Sequence, residues 1–336
     1  MSPLKLHSPL AGPIQNFINL RRLSGGDYQS QARLLEYFDR FLVEQKLCEP
    51  RITRKITDRY LKSLSHLAPR TRLNRFSVVR QLCEYLTRSD PLSYVPESLK
   101  VIPSKGARPP YIYSSSEIRA LLAVASKLAP EDSLRPHTYQ TLVGLLYSTG
   151  IRIGEAIALN LEHFDCAERR LLIAAGKFRK ARWVPLSAST CRALEQYVRK
   201  RLKIKPRSSD APLLLNQRSR RLSHPTVNQT FRHLLKQCGI HHSKRTGPRI
   251  HDLRHSFAVH RLLSWYRDGQ DVNTRLAWLA TYMGHVDVHS TQVYLQPTAE
   301  LIQQVNRRFY GHYLNRVKPM EEQNDTPYRH VHKTVL

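Results

Sequence analysis

The sequence lacks any apolar run long enough to cross a membrane. Its apolar stretches are interrupted by charge, as in residues 142–159, which contain Arg152 and Glu155. A membrane-spanning helix needs roughly 20 consecutive apolar residues. The amino terminus, MSPLKLHSPLAGP, also lacks the apolar core and small-residue cleavage site of a secretory signal. We therefore expect no membrane partner and a location in the cytoplasm.

Cysteine is scarce and irregularly spaced. The chain contains five cysteines and no CxxC pair, at Cys48, Cys83, Cys166, Cys191 and Cys238. A disulfide framework or a metal site normally shows a closely spaced set. The sequence also lacks the GxxxxGK[ST] loop that binds nucleoside triphosphates. We therefore expect reduced, mostly buried thiols, no metal and no cofactor.

Acidic residues are few compared with basic ones. Asp and Glu number 26 against 54 Lys and Arg, which gives a formal net charge of +28. Such an excess on a folded chain predicts a polyanionic partner, either nucleic acid or an anionic membrane surface. Since no membrane segment is visible, the composition favours nucleic acid.

The length of 336 residues predicts two domains, and a hydrophobic content of 41% excludes a disordered chain. We predict an irregular segment over 1–26, a helical basic domain over 27–100, a basic linker over 101–113, a second domain over 114–313 and a flexible tail over 314–336. In the first domain, apolar spacing predicts helices over 28–44, 56–67 and 71–86.

The second domain is predicted to be mainly helical with one small antiparallel β-hairpin. Ser114 and Glu117 form a capping-box pattern that begins its first helix. A second helix ends at Thr149-Gly150, which places Arg152 at the start of the next one. The spacing of apolar residues then changes from the helical to the alternating pattern. This predicts strands over 170–175 and 181–186, joined by the basic residues 176–180. Further helices are predicted over 187–202, 225–237, 251–266, 273–283, 290–295 and 299–313.

Four separated segments of this second domain carry residues suited to one reaction. They contain Arg152, Lys177, the pair His251 and Arg254, and the pair His285 and Tyr294. Taken singly, each has an ordinary structural explanation, because hairpin lysines are usually solvated and helical tyrosines usually belong to the core. Their order and spacing together distinguish them.

The order and spacing resemble those of the tyrosine recombinase (phage integrase) family over about residues 112–310. The segments that carry this resemblance are Ser148–Glu155, Gly176–Leu186, His251–Ala258, and Met283–His285 followed by Tyr294. A longer segment over 264–271 is similar to that of the transposon- and integrative-element-associated members. Gln296 departs from the pattern, because many relatives carry His there.

The resemblance implies a site-specific recombinase that cleaves and rejoins DNA through a covalent 3′-phosphotyrosyl intermediate at Tyr294. It implies that Arg152 and Arg254 bind the phosphate, that His251 is the base, that Lys177 is the general acid and that His285 bonds a phosphate oxygen. Glu155 and His255 are expected to orient these groups. Such chemistry needs preorganised cations and no metal.

The resemblance also implies the architecture and the partners. It implies a helical core-binding domain and a catalytic domain that together form a two-domain clamp on double-stranded DNA in the nucleoid. Four protomers are expected to assemble on two sites, with further recombinases or accessory proteins left open. Basic side chains expected to contact DNA are Arg70, Arg72, Arg75, Arg80, Lys105, Arg108, Arg179 and Lys180.

Two alternatives remain open from the sequence. One is an enzyme similar to type IB topoisomerases, which shares the chemistry but relaxes supercoils. The other is a DNA-binding regulator of the same fold without catalytic activity. All six catalytic positions carry a competent residue, which favours an active recombinase that integrates or excises a mobile element.

Overall fold

The structure is a computed structural model that describes residues 4–24, 28–99, 110–174, 181–204, 208, 210–240 and 247–284. These residues belong to two compact units, Met1–Pro109 with Ile173–Arg182, and Pro110–Leu172 with Trp183–Leu336. None of the helices found in the described ranges is long and apolar enough to cross a bilayer.

Four helices build the amino-terminal unit. Their bounds are Ala11–Leu23 (α1), Gln29–Glu44 (α2), Arg54–Ser63 (α3) and Pro69–Leu86 (α4). Each contributes an apolar stripe to one core, in which Ile14, Leu35, Phe38, Val79 and Leu82 are fully buried. The helices predicted over 28–44, 56–67 and 71–86 are thereby confirmed, with boundaries shifted by a few residues.

The prediction of an irregular segment over 1–26 is wrong for α1. Ile14, Phe17 and Ile18 recur at helical spacing and are almost completely buried in the core of the unit. Pro13 does not prevent the helix because it lies in the first turn, where backbone N–H groups have no helical acceptor. The buried Asp39 carboxylate fixes the preceding chain by accepting from the N–H groups of His7 (2.7 Å) and Ser8 (3.1 Å).

The remainder of the described chain contains seven further helices, one 3₁₀ turn and three strands. They are α5 Ser115–Ala125, α6 Leu134–Thr149, α7 Ile153–Ala158, a 3₁₀ turn Leu161–His163, β1 Phe164–Asp165, β2 Arg170–Ile173, β3 Arg182–Pro185, α8 Ala188–Ile204, α9 His224–Gln237, α10 Asp252–Arg267 and α11 Val272–Met283. Helix α6 lies at the centre and packs against α5, α8 and α10. The helical segments predicted over 290–295 and 299–313 lie outside the described residues.

The strands form one sheet in the order β1-β2-β3. Strands β1 and β2 pair antiparallel, with Phe164 opposite Leu171 and Asp165 opposite Arg170. The expected fold class, mainly helical with a small antiparallel sheet, is therefore confirmed. Strand β1 was not predicted because two residues are too short to show an alternating pattern.

The predicted linker over 101–113 ends earlier than expected. Tyr113 is fully buried, its N–H donates to Ser256 Oγ (2.8 Å) and its hydroxyl donates to the Arg249 carbonyl (3.1 Å). Its aromatic ring also contacts Phe231 edge to face. Tyr113 is therefore a structural part of the second unit. The Ser114–Glu117 capping box that follows it is present, which confirms the start of α5.

Candidate active site

The turn between α6 and α7 places Arg152. Helix α6 ends at Gly150, whose φ of 62° is the left-handed conformation that glycine adopts without strain. Arg152 then takes the N-cap position of α7, and its backbone N–H donates to Glu155 Oε2 (2.9 Å). The other Glu155 oxygen accepts from Arg152 Nη1 at 2.9 Å. The buried Glu155 carboxylate therefore fixes both the backbone and the side chain of Arg152.

The first turn of α10 places His251 and Arg254. His251 is the N-cap residue, and the following Asp252 is completely buried. Asp252 accepts from the Arg249 backbone N–H (2.8 Å) and from Arg249 Nη2 (2.9 Å). This pair anchors the beginning of the helix, and Arg254, in the same first turn, is almost completely buried.

Arg254 joins the ends of two helices. Its side chain is almost completely buried, and it donates from Nη1 to the Gly150 carbonyl (2.5 Å) and from Nη2 to the Met283 carbonyl (2.9 Å). These carbonyls lie at the carboxyl ends of α6 and α11, where no helical N–H can reach them. The guanidinium satisfies both because its N–H groups are held in a planar fork.

Arg152 reaches the same end of α11. It donates from Nη2 to the Gly284 carbonyl at 2.9 Å, next to the Met283 carbonyl that Arg254 contacts. Gly284 ends α11 in the left-handed conformation, with a φ of 69°. The negative end of a helix dipole favours nearby cations. The carboxyl end of α11 therefore holds both arginines close together, immediately before His285 in the chain.

Surrounding protein and positive charge lower the pKa of His251. Although His251 is exposed, loss of hydration around its ring lowers its pKa below the ordinary 6.5, and the positive charge of Arg254 lowers it further. Arg152 also lowers the pKa of His251, so the charges of both arginines act on this ring. The neighbouring His255 ring lies 5.2 Å from that of His251, and burial lowers the pKa of His255 to about 4.

We call Arg152, Glu155, His251 and Arg254 the arginine cluster. Three of the six predicted catalytic residues meet there, and Glu155 and His255 lie beside them. The other three, Lys177, His285 and Tyr294, lie outside the described residues, as do Lys105, Arg108, Arg179 and Lys180. Nowhere in the described ranges do three or more His, Cys, Asp or Glu side chains form a cluster suited to a metal ion.

The four arginines predicted to contact DNA from α4 do not share one face. Successive residues of a helix are rotated by about 100°, which distributes these positions around its axis. Arg70 is exposed, whereas Arg75 lies over the Tyr37 ring, 5.6 Å from its centroid. Arg80 is held within its own unit by Glu84 (2.6 Å) and the Pro96 carbonyl (3.0 Å). Their role in DNA binding stays a prediction.

Sequence reasoning missed residues that support the cluster. Tyr282 stacks its ring on Phe257 of α10, and its hydroxyl donates to the Pro185 carbonyl of β3 (3.1 Å). It thereby connects strand β3 to the end of α11 that both arginines contact. Nothing in the sequence singles out Tyr282, because an aromatic residue on a helix usually packs in the core. The Met283 and Gly284 carbonyls were missed for a related reason, since any residue can supply a carbonyl.

We expect Gly150→Ala to destabilise the protein by about 2–4 kcal/mol. Any side chain there is strained by the positive φ, and a Cβ would lie 2.3 Å from Cδ1 of Phe257, one turn from Arg254. Urea denaturation measures the change. Gly154→Ala is the matched control, because its Cβ would meet no atom within 4 Å. Equal unfolding midpoints for the two variants would contradict the assigned role of Gly150.

The resemblance implies that the chain cleaves DNA with His251 as the base, and in that case we expect the rate of DNA cleavage to fall on acidification only below about pH 6.5. A base accepts a proton only when it is unprotonated. Because the pKa of His251 is lowered, its ring stays neutral until the pH falls below the pKa of an ordinary histidine. Single-turnover cleavage measured between pH 4.5 and 8 gives the profile. His251→Gln is expected to lower the plateau and remove this limb. An acidic limb above pH 7 would exclude His251 as the titrating base.

The chain is similar to known proteins over most of its length. Residues 113–300 match the profile of the phage integrase family. The integrase/recombinase y4rB of Sinorhizobium fredii is 36% identical over 301 residues, which cover 88% of this chain and 95% of that protein. The tyrosine recombinase XerC of Thermodesulfovibrio yellowstonii is 30% identical over 295 residues, which cover 84% of this chain and 90% of that protein.

Solved structures share the fold. The integrase of transposon Tn1549, in complex with transposon right end DNA, superposes with a TM-score of 0.64 at 15% identity, covering 89% of this chain and 99% of that one. The XerH site-specific recombinase bound to a palindromic difH substrate superposes with a TM-score of 0.58 at 19% identity, covering 84% of this chain and 78% of that one. At these identities the similarity concerns the fold.

Proposed function

The chain belongs to the phage integrase family of tyrosine site-specific recombinases, and we propose that it cleaves and rejoins duplex DNA through a covalent 3′-phosphotyrosyl bond to Tyr294. One observation carries this assignment. Arg152 and Arg254 both donate to carbonyls at the carboxyl end of α11, directly before His285 and shortly before Tyr294 in the chain, and both lower the pKa of His251.

The charge of the arginine cluster suits a phosphodiester. Attack on phosphorus builds negative charge on the non-bridging oxygens, and fixed cations stabilise that charge without reorganisation. Arg152 and Arg254 supply two positive charges against the single carboxylate of Glu155. Since Gly150, Met283 and Gly284 hold the guanidiniums through their carbonyls, the donors keep their positions before the phosphate arrives.

The remaining groups would move the protons. A phenol with a pKa near 10 is mostly protonated at neutral pH, so attack by Tyr294 requires a base. The neutral His251 ring is suited to accept that proton. Lys177 would protonate the departing 5′-oxygen, and His285 would donate a hydrogen bond to a non-bridging oxygen. The phosphotyrosyl bond retains the energy of the broken bond, so rejoining needs no ATP.

The partners follow from the charge and the relatives. A net charge of +28 favours a DNA duplex as the partner. The relatives solved with DNA support DNA binding and assembly, and we propose a tetramer on paired sites in the nucleoid of the cytoplasm. Similarity to a transposon integrase and the segment over 264–271 support a role in moving a mobile element.

Covalent trapping with DNA from both sides of the native gene tests the function. The full chain is incubated in excess EDTA with supercoiled plasmids that carry this DNA, and the reaction is quenched with detergent. One portion is digested for mass spectrometry, and another is used to measure supercoiling and to sequence the joined strands. We expect a peptide containing Tyr294 on a DNA 3′ end, and junctions at one sequence. Supercoil relaxation without such junctions would favour the topoisomerase alternative, and binding without an adduct would favour the regulator.

A further inference from the structure

Two of the five cysteines meet although they belong to different elements. The Sγ atoms of Cys166, in the turn after β1, and Cys191, in the first turns of α8, lie 3.9 Å apart. The Cys191 thiol also contacts the Cys166 carbonyl at 3.7 Å. Both are free thiols, as are the exposed Cys48, the buried Cys83 and the partly buried Cys238. A disulfide needs a separation of about 2.05 Å, which side-chain rotation has to provide.

The surrounding backbone holds the two thiols in place. The Arg169 N–H donates to the Cys166 carbonyl (3.3 Å), and the Arg169 carbonyl accepts from the Leu186 N–H (2.7 Å). The turn that carries Cys166 is thereby joined to the residue at which β3 leads into α8. Cys191 follows in α8, where its N–H donates to the Ser187 carbonyl (2.9 Å). The contact between the two sulfur atoms is therefore set by the backbone hydrogen bonds of the fold.

The two thiols differ in their access to solvent. Cys166 is exposed, whereas Cys191 is buried with 5% of its surface accessible. Burial raises the pKa of the Cys191 thiol, and the contact with Cys166 and the nearby Glu195 raise it further, while Arg169 opposes them. A dissolved oxidant therefore reaches Cys166 first, and Cys191 is within reach of the product.

We propose that Cys166 and Cys191 form a peroxide-reactive dithiol site that closes reversibly to a disulfide. In the first step hydrogen peroxide oxidises the Cys166 thiol to a sulfenic acid and is itself reduced to water. In the second step the Cys191 sulfur attacks the sulfenic sulfur, the S–S bond forms, and the hydroxyl leaves as a second water with the thiol proton. Dithiothreitol restores both thiols by exchange.

The bond would close a loop around a functional part of the chain. Residues 167–190 lie between the two cysteines and include β2, β3 and Lys177. A disulfide restricts the unfolded chain by preventing the loop ends from separating. The oxidised protein is therefore expected to be more resistant to heat than the reduced one, and to keep the two ends of this segment joined. This inference does not depend on the proposed DNA chemistry.

Peptide mapping after oxidation tests the proposal. The reduced full chain is treated with hydrogen peroxide, remaining thiols are alkylated, and the digest is examined by mass spectrometry before and after dithiothreitol. We expect one reducible peptide pair that links Cys166 to Cys191. Cys48→Ser, which removes another exposed thiol, is expected to leave the link intact. Alkylation of both Cys166 and Cys191 after peroxide, or a link from either to another cysteine, would overturn the proposal.

Single variants and heat resistance provide independent readouts. Cys191→Ser is expected to leave Cys166 as a sulfenic acid that dimedone labels, whereas Cys166→Ser is expected to abolish the link and to leave the buried Cys191 without a dimedone label. We expect peroxide to raise the Tm of the unmodified sequence by about 5 °C and not that of Cys166→Ser. An unchanged Tm in protein shown to be linked would overturn the proposed restraint on residues 167–190.

Discussion

Tyr294→Phe is expected to abolish the covalent DNA adduct while leaving DNA affinity within about threefold of the original. The substitution removes only the hydroxyl that we propose attacks phosphorus, so the rate of cleavage is expected to fall on the order of 10⁴-fold or more. The affinity is retained because phosphate contacts by the many basic side chains supply most of it. Detergent-resistant protein–DNA complexes measure the first quantity, and fluorescence anisotropy measures the second.

A matched change on another tyrosine controls this experiment. Tyr313→Phe removes the same atom from a residue with no assigned chemistry, and we expect it to form the adduct at the original rate. The assignment of the nucleophile would be wrong if Tyr294→Phe still formed an adduct. It would also be wrong if the DNA-linked peptide of the original sequence contained a different tyrosine.

Arg254→Lys is expected to lower the single-turnover cleavage rate on the order of 10²–10³-fold. Lysine retains the positive charge, but its one ammonium cannot replace a planar fork that reaches the Gly150 and Met283 carbonyls together. At least one of these two hydrogen bonds is lost, which costs about 1–3 kcal/mol of stability. The ends of α6 and α11 then lose a connection beside Arg152, which donates to the neighbouring Gly284 carbonyl.

Arg261→Lys controls for the substitution itself. Arg261 lies on the same helix, α10, with an exposed side chain over the Phe257 ring. Lysine can keep that cationic contact, and we expect cleavage within about threefold of the original. Rates are compared at saturating DNA and well below the Tm of each variant, so that binding and unfolding do not enter. Equal rates for the two variants would contradict the proposed role of Arg254.

Several elements were predictable because their signals are local. The Ser114–Glu117 capping box needs only residues three apart, and both of its hydrogen bonds are present. Gly150 ends α6 and Arg152 begins α7 as predicted, because a left-handed glycine and an N-cap position are properties of one turn. The paired strands β2 and β3 were also predicted, from their alternating pattern on each side of a basic turn.

Other features depend on residues distant in sequence and were missed. Helix α1 contains Gly12 and Pro13, which are unfavourable in helices and argued against one. Its apolar residues stabilise the helix because they are buried against the other three helices of the unit. The composition around Tyr113 predicted that it belongs to the linker. In the structure it donates hydrogen bonds to Ser256 and Arg249, which are distant in sequence. The contact of Cys166 with Cys191 has no sequence signal, because the fold alone sets the distance between them.

The sequence by itself determined the family, the mainly helical class and the residue types of the reaction, because motif order, periodicity and charge are properties of the linear chain. Only the tertiary structure decided how two like-charged guanidiniums are held together. They donate to adjacent carbonyls at the carboxyl end of α11, while Glu155 also binds Arg152 and the Gly150 carbonyl also binds Arg254. Backbone carbonyls carry no sequence signature, so packing alone places them at the point where positive charge has to be concentrated.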